Sequence, residues 1–290
     1  MKYPDRQSHA PGDVIPLSSK LFEQLREYIL KRTGIYFQDN KHYLLQSRLN
    51  TRLKALNLHS YEDYYVYITS SAGRGEFTRM VSAITINETY FFRSEEQFNI
   101  IQKSILPRII KQKENKPHPR IRIWSTACSG GDEPYSLAII LQHHFIKKYP
   151  HIQFEILASD IDPEIIQKAK RGVYNTYSIR NIPGHFLEAY FERHGDTYKI
   201  KAEIAQLVDF KKINLADPME MIRVHSVDLA ICANVLIYFP GQVRQRVVSA
   251  IYNSLNTQGF FMVGFSETLF GIEHQFQKTR DGKSMTYQKR

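Results

Sequence analysis

Cysteine is nearly missing from this chain, with only Cys128 and Cys232 among 290 residues. Two thiols so far apart make neither a disulfide framework nor a metal cluster, and both are expected to be reduced. Long hydrophobic runs are missing as well. The longest apolar stretch, Val227 to Phe239, is broken by Asp228 and Asn234 and falls short of the ~20 residues that a membrane-spanning helix needs. Residues 1–16 are polar and carry proline without an apolar core, so they read as a flexible N-terminus and not as a secretory signal, and a cytoplasmic location is expected. Acidic residues are the minority charge: 39 lysines and arginines stand against 29 acids, a formal net charge of +10. Such a balance favours an anionic partner without choosing among nucleic acid, membrane surface and acidic protein.

What the chain does have is a globular composition, 42% hydrophobic and 12% aromatic, which sets aside disorder, collagen and coiled coil. Leu21, Leu25 and Ile29, then Leu45, Leu49, Leu53 and Leu56, recur at helical spacing. Tyr61, Tyr64, Tyr65 and Ile68 mark another short helix, so residues 17–85 are predicted to form a small helical domain. Residues 86–119 read as a connecting segment with a helix over Glu95 to Lys113 and a polar, proline-bearing linker. From residue 120 the grammar changes to alternating strand and helix, with strands near Ile121–Ser125, Phe154–Ser159, Val227–Ala233, Phe260–Phe265 and Ser284–Gln288. That order predicts an α/β domain over 120–290, a doubly wound, mainly parallel sheet. Within it, Tyr198–Ile200 and Gln206–Lys212 suggest a hairpin, part of an inserted β-subdomain at about 176–212.

The chemistry concentrates after two strands. The run Ser129-Gly-Gly-Asp-Glu133 leads from a strand through small residues into a helix, where the backbone can approach a ligand. The next strand ends in Asp160-Ile-Asp162, where an acid can accept hydrogen bonds from ribose hydroxyls. A helix cap ahead of Pro163 is the competing role for Asp160. A carboxylate inside the glycine turn would be repelled by a pyrophosphate but not by a cationic or neutral cofactor, which tilts the reading from a nicotinamide dinucleotide toward S-adenosylmethionine.

Four segments, Asn87-Glu-Thr-Tyr-Phe-Phe-Arg93, Trp124-Ser-Thr-Ala-Cys-Ser-Gly-Gly-Asp-Glu-Pro-Tyr-Ser136, Ala158-Ser-Asp-Ile-Asp162 and Asn234-Val-Leu-Ile-Tyr-Phe239, resemble, in order and spacing, the signatures of the CheR-type chemotaxis receptor methyltransferases. The resemblance runs from about Leu17 to Tyr287. It implies a Rossmann-like, S-adenosylmethionine-dependent α/β domain with a helical N-terminal domain and an inserted β-subdomain. It further implies cofactor contacts from Asn87, Thr89, Arg93, Glu133, Asp160, Asn214, Leu215, Asn234 and Val235, with Arg93 and Tyr238 as the catalytic, carboxylate-orienting pair. Ala233, where the family usually has arginine, and Cys128, in place of a more common small residue, are departures.

The implied reaction is attack of a receptor glutamate carboxylate on the sulfonium methyl, giving a glutamyl methyl ester and S-adenosylhomocysteine. A glutamate with a reference pKa of about 4.3 is already ionised and requires no general base. No metal is implied. The expected partner is the cytoplasmic helical region of chemoreceptors, met by a monomer that neither binds nucleic acid nor inserts into a membrane. Six cations (Lys31, Arg32, Lys41, Arg48, Arg52 and Lys54) against Asp39 alone give the first domain a basic strip. Arg48 and Arg52, i,i+4 neighbours on a helix, are its candidate substrate-binding residues, with a solvated face as the plain alternative. The turn between Phe191 and Ile200 is shorter than in relatives that hold a receptor C-terminal pentapeptide, which implies a pentapeptide-independent enzyme. The alternatives are a nucleic-acid methyltransferase, which lacks its Asn/Asp-Pro-Pro-aromatic turn or Pro-Cys nucleophile here, and a non-catalytic cofactor-binding signalling module.

Overall fold

The computed structural model describes residues 15–265, 267–281 and 284–290. The chain divides into two compact units, Met1–Ile86 and Asn87–Arg290. Most of the segment expected to be a flexible N-terminus, residues 1–14, lies outside the described residues. Ile15 does not behave as a loose tail: it is buried, and its carbonyl accepts from Asn50 Nδ2 at 3.5 Å. Leu17, where the helical domain was expected to begin, is buried too, and its N–H donates to Gln46 Oε1 at 3.1 Å.

The first unit is all helical. Helix α1 (Ser19–Thr33) opens on Ser18, whose hydroxyl accepts from the Leu21 N–H, and closes on Gly34 at φ 78°, a left-handed conformation that glycine adopts without strain. Helix α2 (His42–Ala55) buries Leu45, Leu49 and Leu53, and α3 (Tyr61–Thr69), capped by Ser60, buries Tyr61, Tyr64 and Ile68. A further helix, α4 (Arg74–Ile84), lies where the sequence shows only a glycine-bearing break; it buries Met80, Val81 and Ile84. Each large apolar side chain so buried contributes roughly 1.5–3 kcal/mol, which is what turns the 3.6-residue periodicity into a fold.

The basic strip of α2 has internal partners. Arg52 forms a two-pronged bond to Glu76 of α4 at 2.8 and 2.9 Å, and Tyr64 Oη donates to the same buried carboxylate at 3.2 Å. Arg48 donates to the carbonyls of Ile84 and Thr85, satisfying the C-terminal end of α4. An anion already meets Arg52 from within the same domain, which leaves receptor docking by these two arginines as a proposal that must compete with a structural role.

In the second unit, α5 (Glu95–Ile100) continues through one wide turn at Ile101–Ile105 into α6 (Leu106–Lys113). Strand β1 (Arg120–Ser125) is followed by α7 (Asp132–Leu141), β2 (Gln153–Asp160) and α8 (Pro163–Arg171). Next come β3 (Val173–Asn175), α9 (Thr176–Ile179), α10 (Gly184–Tyr190), β4 (Phe191–His194), β5 (Thr197–Ile200) and α11 (Ala202–Ala205). The chain ends with β6 (Val208–Lys212), α12 (Pro218–Met221), β7 (Val227–Cys232), α13 (Gly241–Ser254), β8 (Leu255–Val263), β9 (Gln277–Asp281) and β10 (Ser284–Gln288). The large sheet has the order β6-β2-β1-β7-β8-β10-β9, parallel except for β10, which runs against both β8 and β9. Strand β7 is buried along its whole length, as expected of a central parallel strand. Its one acid, Asp228, accepts from Lys113 Nζ, the Arg122 N–H and Asn256 Nδ2, so three neighbouring elements are tied to it.

The small sheet, β3-β5-β4, is the inserted piece. It differs from the hairpin expected between Tyr198–Ile200 and Gln206–Lys212: β5 pairs with β4 across a two-residue Gly195-Asp196 turn, while Val208–Lys212 pairs in parallel with β2 in the large sheet. Alternation alone could not show which partner a five-residue strand takes. No helix among the described residues is long and apolar enough to cross a membrane.

Candidate functional site

The parallel strands reverse their direction of succession between β1 and β7, and ligands of doubly wound sheets bind outside the carboxyl ends of strands at such a switch point. Several hydrogen bonds shape that edge. Trp124 Nε1 donates to Ser159 Oγ at 2.9 Å, the Cys128 N–H to the Ser159 carbonyl at 2.8 Å, and the Thr126 N–H to the Ile231 carbonyl at 2.9 Å, so the ends of β1, β2 and β7 are stitched together. The loop after β1 then turns through Ser129 at φ 46° and Gly131 at φ 90° into α7. A Cβ on Gly131 would stand 3.0 Å from both Ala169 Cβ and Tyr174 Oη, so the packing as well as the backbone calls for glycine.

Asp160, at the end of β2, accepts from the Ser129 N–H at 2.9 Å and the Asp162 N–H at 3.0 Å. The helix cap considered for it belongs to Asp162, which accepts from the Glu164 N–H at 2.9 Å. Asn87 Nδ2 donates to Asp162 at 3.2 Å, and Ser129 Oγ donates to the Asn87 carbonyl at 3.2 Å. Asn87, the β1 loop and the end of β2 therefore form one hydrogen-bonded group. The methyl group of Thr89 lies 3.6 Å from where a Gly130 Cβ would be, and exposed Arg93 donates to the Glu88 carbonyl at 3.1 Å. Beside them the Arg180 guanidinium lies 3.5 and 3.7 Å from the ring centres of Tyr90 and Tyr177.

On the far side of the switch point, Asn234 stands at φ 61° directly after β7, and its N–H donates to Glu267 Oε2 at 2.6 Å. Val235 is half-buried, and Tyr238 closes a short turn, Leu236–Tyr238, half-buried beside buried Phe239. Asn214 and Leu215 are buried after β6; the Asn214 side chain accepts from the Ala216 N–H at 3.0 Å and its N–H donates to Glu220. Ala233 packs against the core, and Cys128 is buried with its thiol pushed well above the usual range by desolvation.

The electrostatics are one-sided. Burial raises the carboxyls of Asp132, Glu133 and Asp160 to about 6, about 7 and about 6, with the backbone, Ser125 and Arg93 only partly offsetting it. Ser125 Oγ donates to Glu133 at 2.6 Å. Asp132 Oδ1 and Glu267 Oε1 are buried with no hydrogen-bond partner among the described residues. S-adenosylmethionine carries two positive centres, a sulfonium and an ammonium, and a site rich in buried, under-compensated carboxyls fits it. The acids Asp132 and Glu133 in the first turn of α7 favour the helix dipole themselves and would oppose a pyrophosphate there. Glu267 escaped the sequence reading, and Asp162 stood in its motif without a role of its own. The signal for the first was a glycine directly after the last parallel strand with an acid three residues on, Gly264-Phe-Ser-Glu267.

Comparison with known proteins agrees with this chemistry. Residues 87–285 match the model of the CheR methyltransferase SAM binding domain, and residues 20–85 that of the CheR methyltransferase all-alpha domain. The chain is 35% identical over 269 residues to chemotaxis protein methyltransferase 2 of Vibrio cholerae, covering 92% of each chain. It is 29% identical to the chemotaxis protein methyltransferase of Borreliella burgdorferi, over 89% of this chain and 91% of that one. To chemotaxis protein methyltransferase 1 of Pseudomonas aeruginosa it is 31% identical, over 92% and 96%. With a matching model over each part of the chain, this protein belongs to the CheR methyltransferase family and uses S-adenosylmethionine.

Proposed function

We propose that the protein methylates glutamate side chains in the cytoplasmic helical region of chemoreceptors, forming glutamyl methyl esters. The observation that carries this reading is the meeting, at one sheet edge, of residues from segments some 180 positions apart in sequence, from Asn87 through Ser129 and Asp160 to Asn234 and Glu267. When bound there, the cofactor supplies an electrophilic methyl group. Asn87, Thr89, Glu133, Asp160, Asn214, Leu215, Asn234 and Val235 would hold it. Arg93, exposed and near enough to Glu133 to lower its carboxyl, would orient the incoming carboxylate, with Tyr238 as the second orienting group. Placement and removal of water are the work left to the chain, because an ionised glutamate needs no base; effective molarity of this kind is worth ~7–11 kcal/mol.

The two-residue turn at Gly195-Asp196, with Gly195 at φ 59°, closes the β4–β5 hairpin tightly. We read it as the mark of an enzyme that needs no receptor C-terminal pentapeptide. Incubation with methyl-labelled cofactor and receptor cytoplasmic fragments should label the fragment, and mild alkali should release the label as volatile methanol. Alkali-stable label, or transfer to RNA instead, would overturn the proposal.

A further inference from the structure

Glu267 lies beyond every motif that drew attention in the sequence. Its side chain is nine-tenths buried, and its two oxygens have different fates. Oε2 accepts from the Asn234 N–H at 2.6 Å and the Gly264 N–H at 2.9 Å, joining the ends of β7 and β8 and holding Asn234 in its left-handed conformation. Gly264 permits that approach, since a Cβ there would stand 2.6 Å from Oε2. Oε1 is buried without a partner among the described residues. Glu133 is held from the adjoining strand: Ser125, which bonds it at 2.6 Å, pairs with Ile231 of β7 just ahead of the Asn234 turn, and the charge of Glu267 adds to the burial that raises Glu133. A buried carboxylate oxygen with no donor is costly, and a second carboxylate beside it raises the cost, unless a cationic donor meets both.

We propose that Glu267 is a cofactor-binding residue that, together with Glu133, receives the α-ammonium of the amino-acid portion of S-adenosylmethionine. The choice between the two positive centres of the cofactor follows from their chemistry. An ammonium brings three N–H donors, and charge-assisted bonds from it can satisfy Oε1 and Glu133 at once. A sulfonium has no N–H or O–H donor and would leave Oε1 unmet. Glu267 thus has two tasks: Oε2 shapes the Asn234 turn, and Oε1 reads the ammonium.

The inference rests on the cofactor assignment, and the probes separate the two. In Glu267→Gln the amide oxygen still accepts from both backbone N–H groups, while the charge and the second acceptor are lost. Calorimetry on the full chain should show S-adenosylhomocysteine, which keeps the ammonium, binding the variant at least about tenfold more weakly than wild type, as expected when a charged hydrogen bond is lost. 5′-Methylthioadenosine, which has no amino-acid portion, should bind both equally. The deamino analogue of S-adenosylhomocysteine should bind wild type about tenfold more weakly than the parent and should bind the variant no worse than it binds wild type; the wild-type half of this comparison needs no variant that folds. Equal losses for S-adenosylhomocysteine and methylthioadenosine would reduce Glu267 to a shaping role and overturn the proposal, as would no loss at all. Binding of none of these ligands by wild type would instead overturn the cofactor assignment itself.

Discussion

Glu133 occupies the first turn of α7, bonded to Ser125 and pressed by the charge of Glu267, with its carboxyl raised from 4.5 to about 7. Between those values the unfolded chain has already released the Glu133 proton and the folded chain has not. The stability this residue contributes is therefore complete below pH about 4.5 and is lost as pH rises through about 7. Thermal unfolding of the free protein from pH 5 to 8 should fall more steeply for wild type than for Glu133→Gln, and saturating S-adenosylhomocysteine should remove much of the difference. Identical slopes for the two proteins would mean that Glu133 titrates normally. At this scale the sequence was partly legible. An acid at the end of β2 was expected, and Asp160 is there, but which of Asp160 and Asp162 caps α8 depends on hydrogen bonds between loops that spacing does not encode.

Helices α2 and α4 are joined by the Arg52–Glu76 pair, with Arg48 closing the end of α4. Glu76 is almost wholly buried, so removing its partner strands a charge away from water, a change that typically costs about 3–5 kcal/mol. Arg52→Ala should lower the denaturation midpoint of the protein accordingly. Wild-type stability with weakened receptor methylation would return Arg52 to the docking role first assigned to it. Element types were legible wherever periodicity was strong, as in α1, α2 and β7. They were not legible where the pattern was short or glycine-bearing: α4 begins beside Gly73 and Gly75, and β6 has the alternation of a hairpin strand although its partner is β2.

The whole molecule carries a net charge of +10, and its proposed substrate presents ionised glutamates. Attraction of that kind is screened within ~8–10 Å at ordinary ionic strength. Added salt should therefore raise the KM for receptor fragments. Fragments with and without the C-terminal tail should be methylated alike, since the tight β4–β5 turn leaves no longer loop to enclose a peptide. Micromolar binding of an isolated tail peptide together with tail-dependent methylation would show that the turn has been misread.

The sequence by itself determined the class of fold and tilted the cofactor toward S-adenosylmethionine. These follow from local facts: hydrophobic period, glycines after strands, and acids where a pyrophosphate would need none. Tertiary structure alone decided that Arg48 and Arg52 are bonded to α4, that Val208–Lys212 joins the large sheet and that Glu267 reaches the Asn234 turn. Each of these depends on a partner 24 to 52 residues away in the chain, and a one-dimensional pattern records the character of a side chain but not which distant backbone or charge the folded chain brings against it.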